Sequence, residues 1–216
     1  MQKIMFNEKF GLETAVLNGK KTMTRRKITY PSKFKGENVA GYFVCRRPSG
    51  EVTEICMYDE DERPIDGGQI LPKYKVGEVV AIAQSYKDAG YDAHDTFGEC
   101  RSIGSYPGWK NKMFVKAEYM PHHIRITKVK AERLQDISGN DCLKEGIKKT
   151  IHKDASGEWG RYYWYLGVTK HNCPYGQYKE YDTAKDAFMN LIDEVSGKGT
   201  WNIDPYVWVY EFELID

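Results

Sequence analysis

Apolar and polar positions along this chain change period repeatedly, dividing it into short strands and helices. Residues 3–6 lean apolar and predict an extended entry. From Lys9 to Asn18, Phe10, Ala15, Val16 and Leu17 gather on one helical face, and Gly19 is placed to end that helix. Thr22, Met23 and Thr24 then alternate as a strand does, with both threonines on one face. Extended backbone here would send Lys21 to the opposite face unless a turn intervenes. Residues 39–45 and 52–58 are strand-like runs joined by Arg-Pro-Ser-Gly, a hairpin signal. Pro64 to Lys75 is rich in turn formers, whereas Val79 to Ala83 is a continuous apolar run suited to a buried strand.

Residues 87–112, with Gly90, Gly98, Gly104, Pro107 and Gly108, lack periodicity and predict a long loop. Phe114 to Ala117 and Ile124 to Val129 resume strand patterns. Ser138 to Gly146 predicts a short helix, with Ser138 and Asp141 forming a cap and Gly146 stopping it. Glu145 thus falls in the last turn, where the helix dipole disfavours an acid, so a lysine partner from elsewhere is expected. Residues 150–182 are rich in Tyr and Trp without regular spacing. Thr183 to Val195 carries the clearest helical stripe, Ala187, Phe188, Leu191, Ile192 and Val195, and Tyr206 to Leu214 alternates as a closing strand. Six to eight strands, three helices and few parallel crossovers predict an α+β fold on a small β-barrel or curled sheet. The chain reads as a single domain, 1–216, with insertions near 38–72, 87–112 and 150–182.

Composition narrows the function classes. The 216 residues are 41% hydrophobic and 29% charged with a net charge of +1, so this is no polybasic nucleic-acid protein and any affinity for a polyanion must be local. The five cysteines, Cys45, Cys56, Cys100, Cys142 and Cys173, are odd in number and lack CxxC spacing, against a disulfide framework or a zinc ribbon. With no signal-peptide core and no 18-residue apolar run, a reducing cytosolic setting is expected. The acidic run 59–62 reads as a solvated loop, and His122 and His123 would diverge on extended backbone, so neither predicts a metal site. No cofactor is implied.

Local charge is concentrated in one place. No acid occurs between Glu13 and Glu37, while Lys20, Lys21, Arg25, Arg26, Lys27, Lys33 and Lys35 fall in that interval. Within it, residues 17–26 read Leu-Asn-Gly-Lys-Lys-Thr-Met-Thr-Arg-Arg. Arginine forks and hydroxyls can bind phosphate. A hydroxyl beside an amine tuned by burial can instead act as a nucleophile with its base. A solvated basic loop after a helix is the simplest alternative.

The stretch Leu17–Arg26 resembles the signature of the ASCH domain, Gly-x-Lys-Thr-x-Thr-x-Arg, with Gly19, Lys21, Thr22, Thr24 and Arg26 matching. Further likeness follows in the family's order: Tyr74-Lys-Val-Gly-Glu78, Met120-Pro121 with Arg125-Ile-Thr127, Glu132 to Ser138, Leu143-Lys-Glu-Gly-Ile147, and Trp201-Asn-x-Asp-Pro-Tyr-Val-Trp208 through Phe212. The last resembles long members often encoded by phages and prophages. Gln84-Ser85-Tyr86 departs from the Arg-Glu-aromatic pattern of such relatives. The resemblance implies a PUA-like barrel with flanking helices and long loop insertions, and a cleft that binds RNA or a modified nucleotide. Small relatives similar at this motif are amidohydrolases of N4-acetylcytidine whose Lys, Thr and Glu fall on Lys21, Thr24 and Glu145. Gly19, Lys20, Thr22, Arg25, Arg26 and Arg125 are then the expected ligand-binding residues, Arg26 serving a phosphate or an oxyanion. Trp109, Trp159 and Trp164 would stack a base. A third reading is a phage-associated structural or interaction protein without a small ligand.

Overall fold

The computed structural model describes residues 1–46, 48, 52–92, 106–153, 156–166 and 179–216. It is an α+β molecule dominated by one sheet of eight strands. The main path runs β1 (Gln2–Ile4), β8 (Val79–Ile82), β9 (His123–Arg133), β12 (Tyr206–Leu214), β2 (Met23–Lys27). Only β1 against β8 is parallel, and the rest of the path is antiparallel. β12, between β9 and β2, is apolar on both of its faces: Val207, Trp208, Val209, Tyr210 and Phe212 are all buried. Just beyond β1, the Met5 carbonyl accepts a hydrogen bond from the Arg26 guanidinium on β2, so the two end strands of the path approach one another.

The remaining strands are β3 (Lys33–Phe34), β4 (Glu37–Asn38), β5 (Gly41–Arg46), β6 (Val52–Tyr58), β7 (Pro64–Ile70), β10 (Lys148–Lys153) and β11 (Trp159–Trp164). The β5–β6–β7 meander joins the main sheet where Val52 meets Ala131, so the expected insertion at 38–72 is an extension of the sheet. The turn-rich reading of Pro64–Lys75 is corrected by β7. Among the described residues this strand pairs only with β6, and such an edge tolerates Pro64 at its first position and Gly67 and Gly68 within it. A Cβ on Gly68 would meet the Ile65 carbonyl at 2.9 Å.

Phe114–Ala117 is likewise not a strand. Asn111 caps a 3₁₀ turn at Lys112–Phe114, a second follows at Ala117–Tyr119, and Val115 is buried between them. Residues 150–182 contain the β10–β11 hairpin, whose Tyr163 bridges Tyr181. Cys100, Cys173, Gly98 and Gly104 lie outside the described residues.

Helices α1 (Leu12–Leu17), α2 (Gly139–Lys144), α3 (Ala184–Ser196) and the short α4 (Thr200–Ile203) complete the order. Thr183 accepts from the Asp186 N–H to cap α3, and Ala187, Phe188, Leu191 and Ile192 on its inner face join the main core. α3 packs against α2 and β11, which sets an apolar wall beside the C-terminal end of α2. Among the described residues, no helix is long and apolar enough to cross a membrane.

Candidate functional site

Two helix ends place the chemistry. At the end of α1, Gly19 (φ 65°) lets its own N–H reach the Val16 carbonyl and the Lys20 N–H reach Ala15, the paired bonds of a Schellman motif. The Lys21 N–H also bonds Ala15, so Lys21 leaves a turn before β2 begins. At the end of α2, Gly146 (φ 105°) repeats the device, with its N–H on Leu143 and that of Ile147 on Cys142. The Thr22 N–H then bonds the Lys144 carbonyl, locking the two turns together. A side chain at Gly146 would be strained by φ and would meet Leu12 at 3.2 Å and Lys21 at 3.7 Å.

The consequence is a buried ion network. Lys21 Nζ lies 2.6 Å from Glu145 Oε2 and donates to the Glu145 backbone carbonyl at 2.7 Å. One ammonium thus pairs with the carboxylate and with the carbonyl end of α2, which accounts for an acid at a helix C-terminus. The other carboxylate oxygen, Oε1, accepts from Arg25 at 3.0 Å. Arg25 is held in turn by Glu132 at 2.5 and 3.1 Å, with Asp141 3.7 Å away. Lys21, Arg25 and Glu145 are all buried. Burial lowers the Lys21 pKa from its usual 10.5, and Arg26 and Arg25 push the same way; Glu145 opposes them, but burial is the largest influence. Desolvating such a cluster costs several kcal/mol per ion, and an apolar trio would pack as well or better. A perturbed lysine in this setting points toward function.

These groups face a cavity of about 500 Å³. Lys21, Thr24, Arg25, Arg26 and Glu145 form its polar floor, and Phe188, Leu191, Ile192 and Val195 of α3 its apolar wall. Thr24 is buried in β2 opposite Tyr210, and among the described residues its hydroxyl makes no hydrogen bond. On the far rim Lys112 joins Glu13 (2.7 Å), Glu8 (2.6 Å) and the Phe6 carbonyl, fastening the segment after residue 106 to α1.

The structure therefore brings Lys21, Thr24 and Glu145 together with Arg25 and Arg26. It does not bring the rest. Arg125 is exposed and pairs with Glu213 at 3.5 Å on the sheet surface. Lys20 is exposed beside a different cavity, next to Lys148 and Trp164. Thr22 contributes backbone bonds, and Gly19 the turn. Arg25, expected to hold a ligand, has its guanidinium occupied by carboxylates. Neither Trp109, Trp159 nor Trp164 lines the cavity, and Trp159 is 71% exposed. Gln84, Ser85 and Tyr86 do not line it either.

Glu132 and the α3 wall were not anticipated. The signal for Glu132 was a lone acid late in an otherwise apolar-alternating strand, in register with Val207 rather than with its partner Arg25. Comparison with known proteins adds no relative: no protein-family model, no curated protein and no solved structure matches this chain.

Proposed function

We propose that this is an ASCH-type domain, its sheet curled as a PUA-like barrel, that binds a modified nucleoside and hydrolyses its acyl amide, as in N4-acetylcytidine. The observation that carries this reading is the convergence of Lys21, Thr24 and Glu145 on one cavity, with burial favouring the neutral amine of Lys21. Thr24 Oγ attacks the acyl carbonyl while its proton passes to Lys21 Nζ. The C–N bond then breaks, and Lys21 returns the proton to the leaving exocyclic amine. Water releases the acyl group from Thr24 as a carboxylic acid by the same route, leaving Lys21 as it began. Glu145 is the positioning group, fixing Lys21 through two contacts on one side.

The sign of the pH dependence follows from the lowered pKa. Protonated Lys21 is no base, so kcat/KM for N4-acetylcytidine rises with pH through the lowered pKa and levels off below 10.5, where an ordinary lysine would still be titrating. A profile that keeps climbing through 10.5, or no release of cytidine at any pH, contradicts the assignment.

A binding module is the second reading, favoured by the Arg26 Nε–H, which is buried without an acceptor at the cavity wall. In that case single-stranded RNA binds without turnover, and its affinity falls with salt as a few phosphates release their counterions.

A further inference from the structure

A second cavity of about 390 Å³ adjoins the first, sharing Met5 and Arg26 in its wall. Register explains the adjacency. Arg26 lies opposite Trp208 and Thr24 opposite Tyr210, so all four side chains belong to one face of the β2–β12 pair. Thr24 opens into the first cavity, Trp208 and Tyr210 line the second, and Arg26 lines both. Thr24 and Arg26 are two residues apart on a strand, about 7 Å.

The charge in this second cavity is of one sign. Among the described residues its charged lining residues are Lys3, Arg26, Lys27 and Lys73, without a carboxylate. Lys3 is already engaged, its ammonium donating to the carbonyls of Lys112, Met113 and Val115. The hydroxyls of Tyr74 and Tyr210 are engaged too, the first donating to the Lys3 carbonyl and the second accepting from the Lys73 N–H. What is left is one buried donor without an acceptor and one lysine open to solvent. The Arg26 Nε–H is buried and unpartnered. Lys73 is exposed, its ammonium 5.2 Å from the Tyr74 ring centre and, among the described residues, without a hydrogen bond or ion pair, whereas Lys27 alternates to the opposite face of β2. Trp208 and Tyr210 are buried, so the cavity offers no open ring for a base to stack on.

We infer that the second cavity is a phosphate subsite, and that the substrate is a phosphate ester, with its base in the first cavity and its phosphate on Arg26 and Lys73. This rests on the nucleoside reading of the first cavity. It goes further by making a nucleotide or a strand, and not the free nucleoside, the preferred substrate. A free nucleotide and a residue within an oligonucleotide present the same group, and the assay separates them.

The experiment measures kcat/KM for N4-acetylcytidine, its 5′-monophosphate and a trinucleotide carrying it centrally, with the native chain and with a Lys73→Gln variant. At least one phosphorylated substrate is expected to exceed the nucleoside by about tenfold or more in the native chain, through charge-assisted hydrogen bonds. That ratio should fall toward one in the variant. A lesion of folding or of the reacting groups lowers all substrates together and leaves the ratio in place. An advantage for the trinucleotide alone assigns a strand; an advantage already present in the monophosphate assigns a nucleotide. A native ratio of one, or a ratio the variant leaves unmoved, overturns the subsite. If no substrate turns over, the amidohydrolase reading fails by itself, and calorimetric titration with cytidine and cytidine 5′-monophosphate decides the subsite. Tighter binding of the monophosphate by about tenfold upholds it, and equal affinity overturns it.

Discussion

Glutamine in place of Glu145 is expected to lower folding stability by about 3–5 kcal/mol, read as the shift in a urea midpoint at constant slope. Arg25 keeps Glu132, so the group left without a counter-charge is Lys21, buried at 2% exposure. The loss should therefore depend on pH. Glu145 is the influence that raises the Lys21 pKa, and without it burial drives that pKa lower still. Between the lowered folded value and the usual 10.5, the unfolded chain holds one proton more than the folded chain, so stability rises with pH across that window. The deficit of Glu145→Gln against the native chain is thus largest at low pH and shrinks as pH approaches 10.5. A pH-independent deficit, or none, would show that the carboxylate does not compensate the lysine.

Methionine at Lys21 separates chemistry from folding. It keeps most of the side-chain volume, removes an ammonium that is costly to bury, and leaves Glu145 paired with Arg25 at 3.0 Å. Stability is expected to fall by about 1–3 kcal/mol, because Glu145 Oε2 and the Glu145 carbonyl lose their shared donor. Deacylation, by contrast, is expected to fall by about 10²–10⁴-fold, the usual contribution of a positioned base. Activity that falls no further than the fraction of folded protein would instead mark Lys21 as a structural ion.

Where the sequence was readable, local rules agreed with one another. Ser138, Gly19, Gly146 and Thr183 each did at a helix end what capping chemistry requires, and the alternation of 206–214 gave β12. Glu145 was legible as an acid on the wrong end of a helix, and its cation was foreseeable in kind. What the alternation of Thr22 and Thr24 could not supply was the turn that swings Lys21 onto the side of Thr24. That turn depends on the Lys21 N–H finding Ala15 and on the docking of Thr22 against Lys144, a contact across more than a hundred residues.

Edge strands hide for a related reason. β7 carries Pro64, Gly67 and Gly68, and only its pairing with β6 makes them extended. Glu132 was obscure because its partner Arg25 is reached through the side chains, 107 positions away in sequence, while its backbone register is with β12. The second cavity has the same origin, since Lys3 and Lys73 are unremarkable singly and meet Arg26 only through β1, β2 and the segment before β8.

The central claim is that Thr24 supplies the nucleophile to an acyl amide held beside Lys21. Its most direct measurement is cytidine release from N4-acetylcytidine by the native chain and by Thr24→Ala at one pH and equal folded concentration. The native chain is expected to turn over, and the alanine variant, left with binding and the amine but no hydroxyl, to be slower by about a hundredfold or more. Equal rates for the two, or none above buffer for the native chain, would contradict it.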